Sequence, residues 1–149
     1  MSTDRRVTKD LIETLEDGRD GFTRAAEKLA DSDRPDLSTQ MRNYADQRAA
    51  FSAELETMAA NYGDDIDEDG SVGAAVHRGW MAVKDAIAGS DAEGVLDAAE
   101  QGEDHAVSEY KDALDNSDIS PELRQVIQRQ YADIQNAHDA IKALRDAND

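Results

Sequence analysis

Residues 115–122 read DNSDISPE, and this short stretch joins two long segments with helical periodicity. Ser120 is a preferred residue for the N-cap of a helix, and Pro121 fits the first helical position. Glu122 then places an acidic group in the first turn, where the helix dipole favours it. Because the link is so short, the two flanking helices have to lie side by side. The sequence therefore predicts an antiparallel helical hairpin.

Outward from this hairpin, apolar residues recur every three or four positions, and no segment alternates as a half-buried strand would. The link DSDRPD at residues 31–36 separates two further helical segments, because Pro35 cannot continue the first of them. NYG at residues 61–63 supplies a glycine signal for a helix end. The helical segments cover about residues 5–30, 36–62, 71–88, 91–115 and 121–146.

The segment at about 71–88 is shorter than the other four, each of which would form a helix ~38 Å long. We therefore expect an all-α protein: a ferritin-like four-helix bundle made of two antiparallel hairpins. The short fifth helix would lie in the long crossover between bundle helices 2 and 3. We expect residues 1–149 to form a single domain, since this length can bury a sizeable core.

The composition limits the partners that the protein can have. The net charge is −18, with 23 Asp, 11 Glu and only five Lys. This charge argues against nucleic acids and anionic membranes as partners, and the surface resembles the halophilic type of salt-adapted organisms. The absence of cysteine excludes thiol catalysis, disulfides and cysteine-bound zinc. The start, MSTDRRVTKD, lacks the apolar stretch of a signal peptide, so we expect a cytoplasmic protein.

Di-iron proteins of this architecture place inward-facing Glu residues and Glu-x-x-His motifs at the middle of the four helices. Here, helical spacing predicts a different set of inward residues. Glu103 faces inward, whereas His105 lies about 200° further around the helix and faces solvent. The inward residues predicted at mid-helix are Gly18, Phe22, Arg48, Phe51, Glu103, Tyr131, Ile134 and His138.

A cation would not bind beside an unpaired arginine, and a buried charge is costly unless it is matched. The sequence therefore predicts a structural ion pair between Arg48 and Glu103 in the core. Nearby residues are in register to supply further hydrogen bonds to this layer. They are Tyr44, Tyr110, Gln130 and Tyr131.

A metal site remains an alternative for the same layer. Gln135-x-x-His138 has the spacing of the metal-binding motif, with Gln in place of Glu. We expect no cofactor, but iron or another divalent metal would use Glu103 and His138, with Glu54 or Glu27 completing the ligands.

Asp65, Asp67 and Asp69, followed by Gly70, repeat the first half of a calcium-binding EF-hand loop. Val76 occupies the position that should supply a bidentate Glu. An acidic turn that caps the next helix is therefore the main interpretation, and a weak calcium site is the alternative.

His77, Arg78 and Trp80 form a second candidate contact region, with glycines at 73 and 79. Trp80 is expected to pack the short crossover helix onto the bundle. His77 and Arg78 would flank that packed face. They are candidates for contact with an anion or a partner protein.

Several stretches carry a family resemblance: DLIETLEDGRDGF, QRAAFSAEL, GSVGAAVHRGWMAVK, GEDHAVSEY and QRQYADIQNAHDAI. Together they resemble an uncharacterised bacterial family of ferritin-like four-helix-bundle proteins, domain of unknown function 2383. The resemblance extends over nearly the whole chain, and residues 77–80 are its most specific part. It implies a ferritin-like bundle without an established activity.

We therefore expect a soluble, non-catalytic bundle that lacks an intact di-iron site and acts through contacts with another protein or through a homodimer. A stress-associated role is implied by the resemblance alone. The alternative is a metal-binding protein, either iron-handling or a di-metal oxidoreductase, with a degenerate ferritin-like site.

Overall fold

The computed structural model describes residues 3–31, 34–60 and 92–147. These ranges are almost entirely helical and contain no strand, which confirms the all-α prediction for this part of the chain. The predicted crossover helix at about 71–88 lies outside the described residues. The described residues form four helices, α1 (Thr3–Ala30), α2 (Pro35–Ala60), α3 (Ala92–Asp115) and α4 (Pro121–Ala147).

The turn between α3 and α4 is closed by side-chain hydrogen bonds. Ser120 Oγ accepts a hydrogen bond from Leu123 N at 3.3 Å, which confirms the predicted N-cap of α4. Arg124 donates to the carbonyl oxygens of Leu114 and Asn116, at 2.7 and 2.8 Å. Leu114 lies in the last turn of α3, where carbonyl oxygens have no partner within the helix, and Asn116 follows directly after it, so Arg124 caps α3 from α4.

Two hydrogen bonds between helices fix the directions of the helices. Ser38 Oγ donates to the carbonyl oxygen of Ala26 at 2.7 Å, so the start of α2 lies beside the end of α1. Ser120 N donates to Asp4 Oδ1 at 2.8 Å, so the start of α1 lies beside the turn between α3 and α4. Therefore α1 and α4 run in one direction, and α2 and α3 run in the other.

The helices pack in pairs around two apolar clusters, one at each end of the bundle. α1 packs against α2 and α3, α3 packs against α4, and α2 meets α4 over a shorter length. One cluster joins the end of α1 to the start of α3 and includes Leu29, Leu37 and Leu96. The other lies at the opposite end and includes Leu11 and Ile127. None of the described helices is long and apolar enough to cross a membrane.

The buried stripe of α4 differs slightly from the predicted one. It passes through Gln130, Ile134, Ala137 and Ile141, in steps of three and four residues. Tyr131 and His138, which were predicted to face inward, lie only partly buried at the edge of this stripe. Gln130 occupies the inward position at mid-helix because its amide finds hydrogen-bond partners inside the bundle.

Candidate functional site

Between the two apolar clusters lies a charged pair that has almost no contact with solvent. Arg48 in α2 and Glu103 in α3 have side chains that are 1% and 0% exposed. Arg48 Nη2 donates to Glu103 Oε2 at 2.7 Å, and Nη1 donates to Oε1. Each carboxylate oxygen therefore accepts one N–H of the same guanidinium. This two-pronged geometry is the strongest form of an arginine–carboxylate contact.

The remaining surface of the guanidinium is also occupied. Arg48 Cζ lies 5.2 Å from the centre of the Phe22 ring, within the range of a cation–π contact. Arg48 Nε donates to Gln47 Oε1 at 3.2 Å. The ring of Tyr44 packs at an angle against Phe22, with ring centres 5.4 Å apart. The arginine is thus bound to a carboxylate, an amide and a ring face.

Three buried glycines lie close in sequence to Phe22 and Glu103. Gly18 and Gly21 of α1 are buried, one turn and one residue before Phe22. Gly102 of α3 is also buried, directly before Glu103. Glycine inside a helix costs roughly 0.5–1 kcal/mol relative to alanine.

A second hydrogen-bond network extends the polar layer toward α4. Tyr110 Oη donates to Gln130 Oε1 at 2.6 Å, and both residues are fully buried. Gln130 Nε2 in turn donates to Glu54 Oε1 at 2.8 Å and to the carbonyl oxygen of Phe51 at 3.4 Å. Burial raises the pKa of Tyr110 above its ordinary value, so this phenol stays a hydrogen-bond donor. Arg129 closes the outer end by pairing with Glu54.

The two charges of this layer are paired with each other. Both oxygens of Glu103 accept hydrogen bonds from Arg48, so a metal ion bound to this carboxylate would lie directly beside a guanidinium. Within residues 3–31, 34–60 and 92–147, no three histidine or acidic side chains are placed to share a metal ion. The layer instead satisfies its buried charges internally, as a buried pair must to be tolerated.

The metal-ligand candidates from the sequence are not brought together. Glu54 is bound to Arg129 and Gln130, and Glu27 is exposed on the outer face of α1. His138 contacts Asp104 and Asp139 at the bundle surface. His105 is exposed, on the solvent side of α3. Each candidate therefore has its own separate surroundings.

Two further sets of candidates, the acidic loop and the region around the tryptophan, lie outside the described residues. The first is Asp65, Asp67 and Asp69, and the second is His77, Arg78 and Trp80. Both remain predictions from the sequence.

The structure also contains a row of ion pairs between α3 and α4 that the apolar stripes of the helices did not indicate. Arg145 Nη1 lies 3.4 Å from Asp97 Oδ1 and also pairs with Glu100. Further along, His138 Nε2 lies 2.7 Å from Asp104 Oδ1. The sequence does contain three acidic residues at spacings of three and four, Asp97, Glu100 and Asp104, which therefore lie on one face of α3. Basic residues of an antiparallel neighbouring helix can pair with such a face.

A small cavity of about 170 Å³ opens between α1 and α3, lined in part by Arg6, Asp10, Glu109 and Asp112. Burial, together with the nearby charges of Glu13 and Glu109, raises the pKa of Asp10 to about 6. Burial and the charge of Asp112 also raise the pKa of Glu109. Acidic groups therefore face one another across this interface at neutral pH, and the contact carries a repulsive contribution.

Comparison with known proteins places the chain in a family. The family model "Domain of unknown function (DUF2383)" matches residues 6–116, which include most of α1, all of α2 and α3, and both members of the buried ion pair. No curated protein matches the chain. Since the match covers most of the sequence, the chain belongs to the DUF2383 family.

Proposed function

We propose that this DUF2383 protein is a ferritin-like helical bundle that lacks an intact di-iron site and acts through contacts with proteins, without catalysing a reaction. The observation that carries this proposal is the buried pair of Arg48 and Glu103. It occupies the middle of the bundle, where di-iron proteins of this architecture hold their metal ligands.

The helix directions support the ferritin-like part of the proposal. α2 and α3 follow one another in the chain and run in the same direction, whereas α1–α2 and α3–α4 are antiparallel pairs. Two antiparallel hairpins related in this way are typical of bundles with one long crossover, the group that includes the ferritin-like folds.

The identity of the central side chains supports the absence of an intact metal site. A guanidinium carries a permanent positive charge and has no lone pair to offer a metal. For a cation to bind at Glu103, Arg48 would have to leave a buried position in which Glu103, Gln47 and Phe22 all contact it. If Arg48 stayed in place, the cation would add a second positive charge to the same low-dielectric layer, which is strongly unfavourable.

The charge of the protein supports a particular kind of partner. A net charge of −18 favours encounter with basic surfaces and disfavours nucleic acids and anionic membranes. Self-association as a homodimer is the other form of contact that we propose, and high salt would favour it by screening the repulsion between the acidic surfaces. Light scattering coupled to gel filtration at low and high salt measures the mass of the assembly.

The central test is the binding of iron. Purified protein is incubated with ferrous iron in air, passed through a gel-filtration column, and the iron in the protein peak is measured by elemental analysis. The proposal predicts substoichiometric iron. Iron retained in a stoichiometric amount would instead support the metal-binding alternative.

A matched variant locates any iron that is retained. Glu103→Gln removes the one carboxylate of the central layer that lies opposite Arg48 but keeps the shape of the side chain. If the wild-type protein retains iron and the variant does not, the metal binds in the bundle centre, and the proposed function is wrong. Equal retention by both proteins would assign the iron to the acidic surface, and the central layer would keep its structural role.

A further inference from the structure

The row of charges between α3 and α4 contains three acidic residues and two basic ones. On α3, Asp97, Glu100 and Asp104 are spaced by three and four residues, so that they lie on one face of the helix. On α4, Arg145 pairs with the first two. His138 contacts the third, through Nε2 at 2.7 Å from Asp104 Oδ1.

The two basic residues differ in chemistry. Arg145 keeps its positive charge at every pH at which proteins fold. The imidazole of His138 gains and loses a proton near neutral pH. The positive charge that faces Asp104 therefore depends on pH, whereas the positive charge that faces Asp97 and Glu100 does not.

The geometry around His138 selects one protonation state. Its second ring nitrogen, Nδ1, lies 3.3 Å from Asp139 Oδ1. Ionised carboxylates only accept hydrogen bonds, whereas a neutral imidazole has one donor and one acceptor nitrogen. Only the doubly protonated ring can donate to both Asp104 and Asp139. In the neutral form, one of the two contacts becomes a repulsion between lone pairs.

We propose that His138 is a proton-operated latch between α3 and α4: the charged ring bridges Asp104 and Asp139 and compensates the charge of Asp104, whereas the neutral ring keeps only one of the two contacts and compensates no charge. Closing the latch joins the middle of α4 to the middle of α3. When the latch is open, the positive charge in the row is that of Arg145, near the end of α4.

The surroundings of the ring favour the closed state. From α3, Asp104 and Glu100 face His138, and from its own helix Asp139 does so; Arg145 is engaged with Glu100 and Asp97. Partial burial lowers the pKa of His138, but the hydrogen bonds to Asp139 and Asp104 and the charge of Glu100 outweigh it. The net effect raises the pKa above its ordinary value.

The sign of the pH effect follows from this direction. A group whose pKa is raised by folding adds stability that is fully present below its unfolded pKa, about 6.5 for histidine. That contribution disappears as the pH rises through the higher pKa of the folded state. The latch is therefore closed in mildly acidic solution and opens on the alkaline side of about pH 6.5.

Nuclear magnetic resonance of the histidine ring protons tests the latch directly. His138→Gln identifies the His138 signal by its disappearance, and the signal is then followed through a pH titration of the wild-type protein. The same titration is repeated with Asp104→Asn, which changes an exposed side chain to its neutral isostere. We expect the titration midpoint of His138 to be lower in Asp104→Asn than in wild type. An unchanged midpoint would overturn the proposal.

Thermal unfolding gives an independent readout with a matched control. The Tm of wild type, His138→Gln and His105→Gln is measured at about pH 6 and about pH 8, on either side of the histidine range. The difference between wild type and His138→Gln should be larger at the lower pH, whereas His105→Gln, an exposed position on α3, should follow wild type at both. A difference for His138→Gln that is equal at the two pH values would contradict the latch.

Discussion

Breaking the buried ion pair is the perturbation whose consequence can be worked out furthest. Arg48→Met removes the guanidinium but keeps a long apolar side chain in the space below Phe22. Glu103 is then left as an unpaired carboxylate in a position with 0% exposure. Removing one partner of a buried pair costs about 3–5 kcal/mol, because the remaining charge loses its compensation.

The size of this loss is large relative to the total stability of a domain, which is about 5–15 kcal/mol. The contact of Arg48 with the Phe22 ring is lost at the same time, and contacts of this kind contribute about 0.5–2 kcal/mol. We therefore expect a markedly lower urea midpoint. Urea unfolding followed by far-ultraviolet circular dichroism measures the free energy of unfolding, and an unchanged slope shows that the folded state is intact.

A double variant separates the loss of the arginine from the loss of the pair. Arg48→Met combined with Glu103→Leu removes both charges and leaves only apolar side chains. Well-packed apolar replacements of a buried pair are often neutral or stabilising. We expect the double variant to be more stable than Arg48→Met alone. A loss below about 1 kcal/mol for Arg48→Met, or a double variant less stable than the single one, would refute the reasoning.

Three other predictions concern single positions. Gln130→Leu leaves the buried hydroxyl of Tyr110 without its acceptor and should lower the free energy of unfolding by about 1–3 kcal/mol in urea titrations, whereas an unchanged midpoint would contradict the network. Asp10→Asn removes a carboxylate whose pKa is raised to about 6, so that its charge destabilises the folded state above that pH. At pH 8 the free energy of unfolding of the variant should exceed that of wild type by about 1 kcal/mol, after discounting for partial exposure. This advantage should disappear as the pH falls toward 4. An exposed control, Asp46→Asn, should show no such pH-dependent gain, and a gain equal to that of Asp10→Asn would assign the effect to net charge alone. Ser120→Ala removes the N-cap of α4 and should lower the free energy of unfolding by about 0.5–2 kcal/mol in thermal or urea unfolding. Ser120→Gly should lower it by less. Equal stability of the alanine variant and wild type would show that the cap contributes nothing.

The helices could be predicted from the sequence because each carries its own local signal. The apolar stripes extend over more than twenty residues, and the N-cap at Ser120 is a short pattern whose function depends on adjacent residues only. Arg48 and Glu103 could be related to each other because each is a charged residue that its helical stripe places inside. A buried charge requires a partner, and the sequence offers one of each sign at the middle of the bundle.

Other features depend on distances between helices that the stripes do not define. Gln130 was predicted to supply a hydrogen bond to the central layer, but its partner Glu54, which is 76 residues away in the chain, was predicted only as a metal ligand. His138 lies one residue from the buried Ala137, an angular difference of about 100° that decides between the core and the edge. The cavity between α1 and α3 forms only where the surfaces of these two helices meet. The pKa of Asp10 is raised by burial in the same folded arrangement.

We have proposed that a closed ion pair occupies the place in this bundle where a di-iron protein would hold its metal centre. The most direct measurement is a crystal structure of protein grown with ferrous iron, with anomalous diffraction data collected at the iron absorption edge. The account predicts density for a two-pronged contact between Arg48 and Glu103 and no anomalous peak beside it. An anomalous peak at coordination distance from a Glu103 carboxylate oxygen, with the Arg48 side chain displaced, would contradict the account.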